Sequence, residues 1–129
     1  MERGLFEGAL ENECLKEGIG VIPYYSLASG FLSGKYRSEA DLGQSARGQG
    51  VKKYLNPRGL RVLDALDAVA QRLHATPAQA ALAWQIARPS ITAPIASATS
   101  PAQLAGLVAA AQLALDADAM RTLNEASAA

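Results

Sequence analysis

The chain has 129 residues, half of them apolar, enough for one modest domain with a real core. Its 12 basic residues balance 12 acidic ones, so the formal net charge is zero and no field draws in nucleic acid or an anionic membrane. Like charges are scattered, one cysteine cannot close an internal disulfide, and no apolar run approaches the ~20 residues that span a bilayer. With a charged start at Met1-Glu2-Arg3-Gly4 that matches no secretory signal, the chain reads as soluble and cytoplasmic.

Leu5 to Lys16 is a predicted helix, with Phe6, Leu10 and Cys14 four apart on one face. Cys14 beside Leu10 and Leu15 reads as a half-buried structural thiol. With His74 as the sole histidine and far away in sequence, no metal site forms. Gly18 is placed to end this helix in a left-handed conformation. The apolar run Ile19-Gly20-Val21-Ile22 then predicts a short strand covered on both faces, as in parallel sheets, which Pro23 stops. Tyr24, Tyr25, Ser26, Leu27, Ala28, Ser29 and Gly30 follow at the strand's carboxyl end. There α/β folds bind small molecules.

Ser26 to Pro57 reads as a long glycine-dotted loop with little apolar periodicity and a short helical turn near Gly30–Gly34. Its Lys52-Lys53-Tyr54 cluster reads as solvated. Leu60 to Leu73 is an amphipathic helix carrying Leu63, Leu66, Ala70 and Leu73, with His74 at its end. Thr76 and Pro77 open a helix to Ala87 that is apolar nearly all round, so it belongs between other elements, with Trp84 in the core. Ile91 to Ile95 is a second predicted strand, interrupted by Pro94. After the small-residue loop Ala96–Thr99, Ser100 and Pro101 cap a helix to Gln112, with Leu104, Leu107, Val108 and Ala111 on one face. Asp116 caps a last helix, with Met120 and Leu123 inward.

Strands alternating with helices imply an α/β fold with a parallel sheet. Two strands leave two edges open, so the chain reads as part of a larger α/β domain, and the open edges predict self-association.

Three segments, GVIPYYSLASGFLSGKY, ATPAQAALAW and APIASATSPAQL, together resemble the C-terminal part of aldo-keto reductases. The resemblance runs from about Phe6 to Leu123. It implies that Met1–Ala129 is a partial NADP-dependent oxidoreductase domain. That domain is the end of a (β/α)8 TIM barrel, incomplete, with its last two strands at Ile19–Pro23 and Thr92–Ile95 and the terminal helices. By this resemblance Tyr24 stacks on a nicotinamide ring, and Leu27, Ser29 and Gly30 run beside the pyrophosphate. Ser97, Thr99 and Ser100 meet phosphate at a helix N-terminus, and Gln103 lies near the adenine.

Two departures from the family pattern matter. Ala98 and Thr99 stand where many relatives carry Lys or Arg, so NADP(H) is the expected cofactor with NAD(H) left open. Leu107 stands where relatives often carry Asn or Glu. The family's catalytic Asp, Tyr, Lys and His lie on earlier strands, so no catalytic residue is assigned. The parent reaction would be NADPH-dependent reduction of an aldehyde or ketone, with a small carbonyl substrate bound only in a complete barrel. A non-catalytic nucleotide-binding or assembly module, and a truncated product without function, stay open beside it.

Overall fold

The computed structural model describes residues 1–128. The first helix, α1, is Ala9–Lys16. It starts later than predicted because the residues before it form a turn, in which the Arg3 carbonyl accepts from the Phe6 and Glu7 amides at 3.0 and 2.9 Å. Gly18 ends it at φ +65 as expected, and the Ile19 amide closes back on the Cys14 carbonyl at 2.8 Å. Cys14 is buried.

The stretch read as a loop is broken into short helices. A 3-10 helix at Ala28–Ser33 is followed by another at Glu39–Gln44, then by α2 at Gly48–Val51 and a 3-10 turn at Lys52–Tyr54. Phe31, Leu32, Tyr36, Leu42, Val51 and Tyr54 are all buried in the main core. Lys52 pairs with Glu39 at 3.0 Å, and Lys53 rides over the Tyr54 ring, so the two lysines are outward while Tyr54 is core.

α3, Pro57–Arg72, begins ahead of the predicted Leu60 because Asn56 caps it, accepting from the Gly59 amide at 2.9 Å, with Pro57 in the first turn. Its stripe Val62, Leu63, Leu66, Val69 and Ala70 is buried. α4, Pro77–Ile86, opens on a reciprocal Thr76–Gln79 capping box and buries Ala80, Ala81, Leu82, Ala83 and Gln85. It packs against both α3 and α5, as its all-round apolarity predicts. α5 is Pro101–Gln112 and α6 is Ala117–Ser127, the latter capped by Asp116 and packed on α3. Leu123 is buried as expected. The predicted inward face of α5 is not: only Ala110 is buried, and Leu104 and Val108 stand more than half exposed. No helix among the described residues is long and apolar enough to cross a membrane.

The α/β expectation is not met. Among the described residues there is no strand, so the two parallel strands of an incomplete barrel are absent and the architecture is helical. The segments 19–23 and 91–95 do lie side by side. The Thr92 amide donates to the Val21 carbonyl at 2.9 Å, the Val21 amide to Thr92 Oγ1 at 3.0 Å, and the Ile95 amide to the Pro23 carbonyl at 3.0 Å. A parallel ladder advances two residues on each side per bond. Here one side advances two and the other three. The physical reason is in the sequence: Pro23 and Pro94 remove the two N–H groups that the next rungs need. Gly20 eases the approach, since a Cβ there would meet Thr92 Oγ1 at 3.1 Å and push that side chain aside by a few tenths of an ångström.

Candidate functional site

The Pro23–Ile95 bond sets the start of two loops beside each other, and the predicted site residues lie on them or, for Gln103, in the first turn of α5. The first loop is anchored through Ser26. Its hydroxyl donates to the Pro23 carbonyl at 2.8 Å, and its own carbonyl accepts from Gln85 Nε2 at 2.8 Å. Gln85 also donates to the Ala81 carbonyl at 3.1 Å, so a buried amide on α4 holds the loop's base. The sequence reading passed over Gln85. The signal was its place as a polar residue well inside an otherwise apolar helix.

Beyond Ser26 the backbone turns left-handed at three consecutive residues, Ala28 at φ 49, Ser29 at φ 58 and Gly30 at φ 93. Only Gly30 adopts this without steric cost; each of the others gives up about 1–2 kcal/mol. Leu27 faces the core instead of the loop's open side, and its carbonyl accepts from the Gly30 and Leu32 amides at 2.9 and 3.2 Å. The Ser29 amide and hydroxyl take no partner among the described residues. The Lys35 ammonium folds back over this turn, 3.7 Å from where a Cβ on Gly30 would stand and 4.9 Å from the Tyr36 ring centre. Tyr24 is 76% exposed, its ring 4.6 Å from that of Tyr25 and tilted to it.

The second loop ends in a closed hydrogen-bonded unit. Gln103 Oε1 accepts from the Thr99 amide at 2.8 Å and the Thr99 hydroxyl at 3.0 Å, while Ser100 Oγ caps α5 by accepting from the Gln103 amide at 3.3 Å. The free N–H groups of the first α5 turn point out from this cap, giving it partial positive charge. Ser97 is exposed and its side chain takes no partner among the described residues. Thr99, Ser100 and Gln103 are therefore brought together. Tyr24, Ser29 and Gly30 form a separate group, and no hydrogen bond joins the two among the described residues.

Tyr24, Tyr25 and Ser26 also edge a cavity of about 380 Å³ whose far side includes Trp84 and Arg88. Two guanidiniums approach the Trp84 indole, Arg3 at 5.3 Å and Arg88 at 5.0 Å, and its N–H donates to Asn124 Oδ1 at 2.9 Å. Arg88 pairs with Glu7 at 3.0 Å and Glu11 at 2.7 Å, and Ser90 Oγ donates to the same Glu11 oxygen. The Ser90 hydroxyl, and after it the Arg88 guanidinium, hold the Glu11 carboxyl below its usual range. Arg88 is thus already neutralised and is no cation for a phosphate. The two loops offer hydroxyls, amides, an aromatic face and one ammonium. Such a set can hold an anion and orient a ring.

A sequence model of the Aldo/keto reductase family matches residues 2–128. The chain belongs to the aldo/keto reductase family. It is similar to proteins named as uncharacterized oxidoreductases. One from Mycobacterium tuberculosis is 41% identical over 115 residues, covering 83% of this chain and 33% of the relative. Another from Bacillus subtilis is 31% identical over 109 residues, covering 84% of this chain and 32% of the relative. This aldo/keto reductase chain therefore spans about a third of the length of the curated relatives it matches.

Proposed function

We propose that this chain binds a nicotinamide dinucleotide across the loops 24–30 and 97–103. In a complete protein it would serve NADPH-dependent reduction of an aldehyde or ketone. The observation that carries the reading is the left-handed turn Ala28-Ser29-Gly30, which leaves a serine amide and hydroxyl unpartnered at an energetic cost. His74 is also left-handed, at φ 52, but only here among the described residues do two non-glycine residues in succession carry the strain, and such strain points to a site. Tyr24 would give its exposed face to the nicotinamide, and Ser29 and Gly30 would approach the pyrophosphate. Ser97, Thr99 and Ser100 would serve a phosphate at the α5 N-terminus, with Gln103 fixing Thr99 and presenting its amide toward the adenine.

Lys35, over the 28–30 turn, supplies a positive charge for the pyrophosphate. Leu27 acts by packing, holding the turn from beneath. The bound cofactor supplies the hydride; this chain's residues bind and orient it, and none is assigned proton transfer. NADP(H) is the expected form, with NAD(H) also accepted because no arginine or lysine stands on the second loop.

Isothermal titration of the purified chain with NADPH and with NADH tests the reading. The expected result is saturable binding that Tyr24→Ala and Ser29→Pro weaken. No heat with either nucleotide from a cooperatively folded chain would overturn it. Robust carbonyl reduction by this chain alone would overturn the absence of a proton-transfer residue.

A further inference from the structure

Ser26 and Gln85 are buried polar residues, 5% and 9% exposed, that make no contact assigned to the ligand. Gln85 is the one polar side chain among the residues that α4 buries, beside Ala80, Ala81, Leu82 and Ala83. Burying an amide costs free energy unless its groups are bonded. Its Nε2 faces two carbonyls, that of Ser26 at 2.8 Å and that of Ala81 at 3.1 Å, and a carbonyl can only accept. The amide is therefore held one way round.

The bonds continue through Ser26. Its hydroxyl donates to the Pro23 carbonyl at 2.8 Å, and the same carbonyl accepts from the Ile95 amide at 3.0 Å. One carbonyl thus takes a donor from the base of the first loop and a donor from the base of the second. Ser26 stands just ahead of the left-handed turn 28–30, and Ile95 just ahead of Ser97. Further out, no hydrogen bond joins the two loops among the described residues. Their separation is set at this junction, and every group in it lies within residues 23–95.

We infer that Ser26 and Gln85 are positioning residues for the dinucleotide: their relay through the Pro23 carbonyl presets the spacing of two loops that one ligand must reach at once. This rests on the nucleotide reading above. A ligand that spans two sites gains from a preset spacing, because its second half then binds as if at high local concentration. Fully bonded buried polar groups fix one arrangement where apolar packing alone tolerates several. A ligand that occupies one loop gains nothing from the spacing. Loss of the relay should therefore weaken the whole dinucleotide and spare its adenosine half.

Calorimetric titration of the full chain with NADPH and with adenosine 2′,5′-bisphosphate tests this on the parent, Ser26→Ala and Gln85→Met. Ser26→Ala removes only the hydroxyl. Gln85→Met keeps the length and the helix propensity and removes both N–H donors. Each variant should bind NADPH about fivefold more weakly and the bisphosphate as the parent does. Asp116→Ala, which uncaps α6, stands for lost stability alone and should keep both affinities. Circular dichroism checks each fold, and Ser26→Ala, the milder change, decides if Gln85→Met unfolds. A folded parent that does not bind NADPH would overturn the nucleotide reading and this inference with it. A parent that binds NADPH while a folded variant matches it would overturn this inference alone. So would equal weakening of the bisphosphate, a parent that binds NADPH and not the bisphosphate, or an equal loss of NADPH in Asp116→Ala.

Discussion

Gln103 Oε1 accepts two hydrogen bonds from Thr99, one from its amide at 2.8 Å and one from its hydroxyl at 3.0 Å. One side chain therefore fixes the last residue of the second loop before the helix cap. Gln103→Ala leaves the Ser100 cap in place, so α5 should persist. The Thr99 amide then returns to water at a cost of about 1 kcal/mol. The expected outcome is a small fall in melting temperature and several-fold weaker nucleotide binding, read by titration calorimetry. Gln103→Glu keeps the acceptor and should retain the melting temperature. Equal melting and equal affinity in Gln103→Ala would remove Gln103 from the site.

Lys35 is the cation placed over the left-handed turn. If it neutralises pyrophosphate, Lys35→Met should weaken NADPH and NADH alike, by about tenfold, since a charge-assisted hydrogen bond contributes about 1.5–3 kcal/mol. The loss should shrink as salt rises. A loss confined to NADPH would move Lys35 to the ribose phosphate, and no loss would exclude it as a contact.

Ser29 pits strain against flexibility. Its left-handed backbone costs about 1–2 kcal/mol, whereas glycine there would cost only about 0.5–1 kcal/mol in unfolded-chain entropy. Relief wins, so Ser29→Gly should raise stability by several tenths of a kcal/mol in urea denaturation while lowering nucleotide affinity through loss of the hydroxyl. Its place in the candidate site was legible from the resemblance, and its conformation was not. The Ser29-Gly30 pair signals a turn without telling that Ala28 and Ser29 also turn left-handed, between Leu27, Phe31 and Leu32, which reach into the core on either side.

Glu11 ties α1 to Arg88 and Ser90, and its carboxyl sits below the ordinary 4.5. A depressed folded-state value means that the folded form holds its proton less tightly than the unfolded one. The associated stability is present above about 4.5 and is lost as pH falls through the folded value. Glu11→Gln should be less stable than the parent at neutral pH and should show a shallower decline on acidification. Urea midpoints at neutral pH and at steps below 4.5 would check this. Parallel curves for the two proteins would sink the assignment.

The helices were readable because caps and periodicity agree locally: Thr76-Pro77, Ser100-Pro101 and Asp116 each open the helix they predict. The strands were misread because Ile19-Gly20-Val21-Ile22 has the composition of a buried strand, while the two prolines that break its ladder lie on both sides of the pairing. Polar spacing in 26–57 likewise hid a core, since its apolar residues are held by short turns with no fixed period.

Tyr36 is the sharpest case of that hidden core, fully buried with its hydroxyl 2.6 Å from Ser45 Oγ. A solvated loop would tolerate Tyr36→Phe and Phe31→Ala without effect. In this packing Tyr36→Phe removes the short bond to the Ser45 hydroxyl, leaving it the Arg47 amide at 3.3 Å, and should cost about 1 kcal/mol. Phe31→Ala empties a fully buried site against Tyr54, whose ring lies 5.4 Å away, and should cost about 3–5 kcal/mol. Much of a small domain's stability goes with it. Chemical denaturation should therefore find Phe31→Ala barely folded and Tyr36→Phe shifted modestly. If both unfold like the parent, the segment 26–57 is no part of the core.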